Sequence, residues 1–447
     1  MGRLRVGRRL LPLGSLLVIA TLLAPAPVAA ASADWATFGT PSATGSLAEA
    51  IEFVQPVDAE RPIGRAEVLI TIADALGQQV VPIELGDPDG AVMLRHTLEA
   101  EEAGALSPNT RLTARWRLTP ADDPAAVVLG PEVSLLYRDE RFEWKTVAGD
   151  IVRVHWYEGG QAFGERALRI GEEAVRDSSE LLGVNEDEPV DFFIYADQEP
   201  FYDALGPGTR ENVGGQANAD IRTLFALISP SEIDAGWVAT VVPHELTHLV
   251  FDTAVANPYH FPPRWLNEGV AVYLSEGYGA SYRRDVEDAA GVGTLIPLDG
   301  LGGQFPTTAD RFYLAYAESV SAVEFLIRTY GQDALVELIQ SYADGRTDDE
   351  AFRDALGVDV TGFGAAWFED LGAVAPAKHG PNPPVPGPRP EAWGGSGSVV
   401  DPAAPVDGPG AEPAPLPAGA WLVVLVVAGV LLLAAGVLVI LRRRAVA

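Results

Sequence analysis

The chain has 447 residues, 48% of them hydrophobic, with 62 acidic against 31 basic side chains, a formal charge of −31 and no cysteine. Such a length suggests two or three folded units, with ample apolar material for a core. The acidic balance repels phosphate backbones and anionic headgroups, which excludes nucleic-acid binding. The lack of cysteine excludes disulfide staples, a lipid-modified cysteine and thiol catalysis.

Arg3, Arg5, Arg8 and Arg9 precede an apolar run from Leu10 to Leu23, and the small residues PVAAASA follow at 27–33. This is the pattern of a secretory signal peptide, expected over 1–31, with cleavage after Ala31 or Ala33. An uncleaved anchor is the rival, but the apolar run is short for a bilayer span.

Residues 34–142 read as an all-β, immunoglobulin-like sandwich. RLTARWRL (111–118) alternates strictly, with Leu112, Ala114, Trp116 and Leu118 on one face. Period two means a strand with one buried side. AEVLITIA (66–73) and EVSLLY (132–137) are further strands, and Asp, Gly and Pro clusters separate the runs. The acidic turns lack calcium-loop spacing and read as solvated loops.

From about 146 the pattern becomes α+β. GERALRIGEEAVRDSSELLG (164–183) has helical spacing, VDFFIY (190–195) and TLFALI (223–228) read as buried strands, and helical segments follow to about Leu371. A second domain is expected over 146–374.

Within it, PHELTHLVF (243–251) carries His244 and His248 four residues apart, with Glu245 beside the first. On a helix this spacing puts both imidazoles on one face, able to share a zinc ion. Zinc lowers the pKa of its water to about 7, and Glu245 can take the proton. A solvated helix face is the bland alternative. Leu246, Leu249, Val250 and Phe251 argue against it, because a buried histidine pair without a partner is costly. Ser231 or Asp234 can cap the helix. Pro243 then falls in its interior, unless the helix restarts there.

A catalytic zinc needs a third protein ligand. His260, Asp252, Glu268 and Glu276 are the nearby candidates. Asp252 lies on the same helix, one turn on, where it closes a tetrahedron poorly. PPRWLNEGVAVYLSEG (262–277) reads as a second helix opened by Pro262 and Pro263, with Glu268 one or two turns inside it. Glu268 is therefore favoured, and His260, in the turn NPYHFPP, is more ordinary as a structural or rim residue.

HELTH followed by NEGVA resembles the gluzincin metallopeptidases, and within them the peptidase MA-like group of exported bacterial proteins. AYAESVSAVEFLIRTYG (315–331) and AAWFEDL (365–371) add to the likeness, which covers roughly 146–372. The resemblance implies a zincin-like fold, His244, His248 and Glu268 as zinc ligands, and Glu245 as general base. It also implies a small sheet whose edge strand holds an extended peptide, for which TLFALI is the candidate. Many gluzincins use a Tyr or His to stabilise the oxyanion. Tyr316 is the candidate here, with Tyr313 its neighbour and core packing the plain alternative. The chain departs from metzincins at Phe251 and Ala254, and from the thermolysin pattern at Val272. No partner that orients a histidine is evident.

Residues 375–417 form a Pro- and Gly-rich stalk: 13 of the chain's 35 prolines fall in 376–417. Trp421 to Leu441 is an unbroken apolar stretch followed by Arg442, Arg443 and Arg444. It reads as a transmembrane helix with the 442–447 tail cytoplasmic and the body outside. Without the arginines of signal and tail, the body keeps 24 basic against 62 acidic residues, a net of −38. LPAGA (416–420) resembles a sortase signal, but Gly419 and Ala420 replace its Thr and Gly. The sequence thus points to a membrane-anchored extracellular zinc peptidase acting on peptides or proteins. A catalytically inactive, zinc-bearing surface binding protein is the alternative.

Overall fold

The computed structural model describes residues 32–33, 35–73, 77–85, 90–99, 106–206 and 214–375. All of them fall in the first of the chain's two units, Met1–Ala377. The expected signal peptide, nearly all of the stalk and the expected span at 421–441 lie outside the described residues. Among the described residues, no helix is long and apolar enough to cross a membrane.

The N-terminal strands are β1 (Ser32–Ala33), β2 (Ala36–Phe38), β3 (Ser42–Thr44), β4 (Ile51–Ala59), β5 (Ile63–Ile72), β6 (Gln79–Ile83), β7 (Gly90–Leu98), β8 (Arg111–Pro120), β9 (Val128–Leu129) and β10 (Val133–Leu136). They form two antiparallel sheets. One runs β1-β2-β4-β3 with β7 also on β4; the other runs β10-β8-β5-β6 with β9 on β8. Leu112, Ala114, Trp116 and Leu118 of β8 are all buried, as alternation requires. Their faces meet Phe38, Ile51 and Phe53 of the first sheet in one core, which makes a sandwich.

A third, mixed sheet follows: β11 (Lys145–Ala148), β12 (Val152–Trp156), β13 (Val190–Tyr195), β14 (Gly215–Asn218) and β15 (Thr223–Leu227), in the order β11-β12-β13-β15-β14. The described helices are α1 (Gln161–Leu182), α2 (Gln198–Leu205), α3 (Val238–Val255), α4 (Arg264–Ser275), α5 (Ala280–Val292), α6 (Ala309–Tyr330), α7 (Gln332–Gln340), α8 (Asp348–Leu356) and α9 (Val360–Asp370). Val152, Val154, Phe192 and Leu224 on one face of the sheet share a core with α1, α3, α4 and α6. Tyr195 and Phe225 on the other face join the core of the sandwich. The third sheet is thus a middle layer, and its central strands β13 and β15, buried on both sides, read as continuous apolar runs for that reason. Asn109 pins the junction: its amide donates to Asp191 Oδ2 at 2.8 Å and to Thr223 Oγ1 at 2.9 Å.

Two expectations are corrected, and one open alternative is resolved. TLFALI is not the sheet edge: β15 lies between β13 and β14, and β14 is the edge. The short GQAN strand has no apolar periodicity to announce it, so the sequence points one strand too far inward. The HELTH helix begins at Val238, not near Ser231 or Asp234. Ser231 Oγ is engaged with Ser229 Oγ at 3.1 Å, and Asp234 Oδ1 accepts from Arg166 Nε at 2.8 Å, so turns precede the helix. Pro243 sits inside a continuous α3; the helix does not restart there. Its cost, about 3 kcal/mol in an isolated helix, is offset by the burial of Val242, Leu246, Leu249 and Val250 around it.

The two motif helices are brought together by a tight return. Ala256 ends α3 in the left-handed region, with φ of 46°. Asn257 Oδ1 then accepts from the backbone N–H groups of Tyr259 and His260. Pro263 caps α4, and Trp265, Leu266 and Val270 pack into the same core as Leu246 and Val250. On its other side α4 presses against α6 at Gly269, where a Cβ would lie 2.5 Å from the Ser319 carbonyl oxygen and 2.7 Å from Val323 Cγ2. Gly269→Ala is expected to overpack this crossing and cost about 1–3 kcal/mol. Denaturant unfolding measures it; a variant of unchanged stability would show that the helices can separate freely.

Candidate metal centre

His244 and His248 project from one face of α3, one turn apart, with ring centroids separated by 4.9 Å and planes at 88°. Glu268 reaches them from α4. Its Oε2 lies 3.5 Å from His244 Nε2 and 3.7 Å from His248 Nε2. A four-coordinate zinc, with bonds of about 2.0–2.2 Å, holds its ligand atoms roughly 3.3–3.5 Å apart. Glu268 Oε2 therefore stands at nearly the spacing that a zinc ion demands from each imidazole nitrogen. Two imidazole nitrogens and one carboxylate oxygen are also the donor types it takes. Among the described residues, this is the one group of three or more His, Cys, Asp or Glu side chains whose donor atoms all lie within 4.8 Å of one another.

The surroundings of each donor are specific. His248 Nδ1 and Asn267 Oδ1 are 2.9 Å apart. An amide oxygen only accepts, so Nδ1 carries the proton and Nε2 presents its lone pair to the shared point. Glu268 is buried. Burial pushes its carboxyl up, but hydrogen bonding with His244 and the proximity of His248, His244 and Arg264 outweigh that and bring it down to about 2. Arg264 Nε and Nη2 both donate to Oε1, at 3.0 and 2.9 Å, which leaves Oε2 to the histidines.

Glu245 lies outside the donor group. It is half-buried, and its Oε2 accepts from the N–H of Ala217 on β14 at 2.9 Å. Burial raises its pKa, against the lowering effects of His248 and the Ala217 bond. A carboxylate so raised is the better base. Gly215 lets the edge strand come this close, since a Cβ there would meet Glu245 Cγ at 3.2 Å. Tyr316 on α6 is half-buried, with its ring centroid 6.4 Å from that of His244. Burial first, then the nearby Glu268 and Glu245 charges, drive its phenol upward, so it stays an O–H donor.

The other candidates are elsewhere. His260 Nε2 lies 3.1 Å from Asp348 Oδ1, with its ring stacked on Tyr342. Asp252 is exposed on α3 and Glu276 accepts from the Tyr282 hydroxyl at 2.8 Å; neither joins the donor group. Tyr313 is 69% exposed and points away from the core that Tyr316 enters. Three contributors escape sequence reasoning: Asn267, Arg264 and the edge strand β14. Arg264 stands four residues before Glu268, a visible helical pairing. Asn267 adjoins Glu268 and offers no such spacing signal.

Asn267→Leu is expected to weaken metal binding about 10–100-fold, the usual cost of removing a group that orients a ligand. Competition against a chelator reads this directly. An affinity equal to the wild type's would mean that packing alone sets the ring of His248.

Two histidines and a glutamate on paired helices, with a second glutamate beside them, make a gluzincin-like site. Residues 171–373, which span HELTH and NEGVA, match the family model of the Peptidase MA superfamily. Solved structures match the chain at low similarity. An M1 zinc metallopeptidase from Deinococcus radiodurans is 13% identical with a TM-score of 0.33, over 76% of this chain and 92% of that one. An aminopeptidase N family protein from Idiomarina loihiensis is 9% identical with a TM-score of 0.38, over 72% of this chain and 73% of that one. No curated protein matches the chain.

Proposed function

We propose that the protein is a zinc-dependent peptidase that hydrolyses peptide bonds with water, held outside the cell by its C-terminal apolar segment. The observation that carries the reading is the convergence of His244, His248 and Glu268, with Glu245 adjacent but not a ligand. Zinc in this cradle would polarise the scissile carbonyl and acidify the attacking water. Glu245 takes the proton of that water and delivers it to the leaving amine. The Ala217 N–H steadies the carboxylate for this task. Tyr316 stands on the His244 side, where its O–H can donate to the charge developing on the carbonyl oxygen. Asn267 keeps His248 in one tautomer throughout. An extended substrate has an edge strand to lie along in β14, next to Glu245.

The localisation rests on sequence: the 1–31 leader pattern, the 421–441 apolar stretch and the three arginines after it. The test is to incubate the zinc-loaded chain and its Glu245→Gln variant with a diverse peptide mixture. New termini are read by mass spectrometry. Termini from wild type alone support the reading, and their positions separate endo from exo cleavage. Zinc bound with no cleavage by either would favour the inactive binding protein.

A further inference from the structure

Arg264 is not needed for any step above, yet it is the residue most closely tied to the third ligand. It opens α4 one turn before Glu268, and its own backbone N–H donates to Gly302 O at 2.9 Å. Its guanidinium lies 4.6 Å from the centroid of Phe305, a buried ring packed edge-on against Tyr316. From this seat Nε and Nη2 both reach Glu268 Oε1. The carboxylate is thereby divided: one oxygen faces the arginine and the other faces the two histidines.

Burying a carboxylate is costly unless a positive group pairs with it. An arginine is always charged, and this one is in direct contact with the carboxylate. In the metal-free protein, Arg264 is therefore the permanent cation in contact with Glu268. A divalent ion between the histidines would serve the other oxygen of the same carboxylate. Two positive charges can thus stabilise Glu268, one built into the chain and one that arrives.

We infer that Arg264 is a positioning residue that holds the cradle together before the metal binds, acting as the resident counter-ion of Glu268. This rests on the metal-centre reading above. Its consequence is a difference between two states: the metal-free protein depends on Arg264, and the zinc-bound protein depends on it much less. A side chain that only packed against Phe305 would matter equally in both.

The experiment compares melting midpoints of the full chain, with chelator and with saturating zinc, for wild type, Arg264→Met and Arg264→Lys. Methionine keeps an aliphatic stem over Phe305 and removes the charge. Lysine keeps the charge and loses the fork. The metal-free Arg264→Met midpoint is expected to fall by on the order of 5 °C, with zinc restoring most of the loss. Zinc therefore raises the midpoint of Arg264→Met more than that of wild type, and Arg264→Lys falls between. Equal losses with and without zinc, or no loss in either, would overturn the inference. If Arg264→Met folds only with zinc, the inference stands in its strongest form. If it folds in neither condition, Arg264→Lys decides by the same comparison. If zinc fails to shift the wild-type midpoint, the metal-centre reading itself is refuted, an outcome separate from all of these.

Discussion

Glu245→Gln is expected to lower peptide turnover by about 10³-fold while leaving metal content and fold unchanged; positioned proton transfer is worth roughly 10²–10⁴-fold. The reason lies in the division of labour on α3. Glu245 is one residue from His244 but turned toward β14, where Ala217 holds its Oε2 at 2.9 Å. It is absent from the donor group that His244, His248 and Glu268 make. A glutamine fills the same space, and its amide oxygen still accepts the Ala217 N–H. It cannot accept a proton from the attacking water. Turnover on the cleaved peptides, measured beside metal content by elemental mass spectrometry, checks both halves. A variant with full turnover would remove Glu245 from the mechanism. A variant that loses its metal would mean that Glu245 is a ligand after all.

Glu268→Ala acts on the other half of the site and should abolish activity through the metal. It removes the oxygen 3.5 and 3.7 Å from the two imidazole nitrogens and leaves a two-ligand site. The fall in affinity should exceed the 10–100-fold typical of a group that merely supports a ligand, so a loss beyond about 100-fold is expected. Arg264, freed from its partner, adds a repelling positive charge beside the histidines. The fold should survive, because alanine removes the buried carboxylate together with its desolvation cost and Arg264 is half-buried, able to turn to water. Chelator competition gives the affinity, and far-UV circular dichroism of the metal-free forms separates lost binding from lost structure. Wild-type affinity in this variant would return the third-ligand position to the other candidates.

The legible parts of the fold are those written in local periodicity. The alternation of β8 is enough to mark its buried face, since side chains of one strand alternate sides whatever lies opposite. VDFFIY and TLFALI are recognisable as buried strands because a sheet covered on both faces tolerates few polar residues. The order of those strands is not legible. TLFALI looks like an edge only because GQAN carries no signal of its own: it is a four-residue strand whose place depends on pairing with β15 and on contact with α3. The start of α3 is hidden for a similar reason. Ser231 and Asp234 have capping chemistry, but neighbouring and distant side chains claim it.

By itself the sequence determined that His244 and His248 share a helix face, because a four-residue step on a 3.6-residue turn leaves no other outcome. It also pointed to a second short helix with Glu268 on it, since Pro262 and Pro263 can open a helix and apolar spacing carries it on. Which carboxylate closes the donor set was a matter of tertiary structure. That depends on the left-handed turn at Ala256, the Asn257 loop and the close α4–α6 crossing that Gly269 permits. The roles of Asn267, Arg264 and Ala217 were decided there too. Periodicity reports neighbours within one element, whereas hydrogen bonds between elements are set by loop geometry and core packing, which no local window contains.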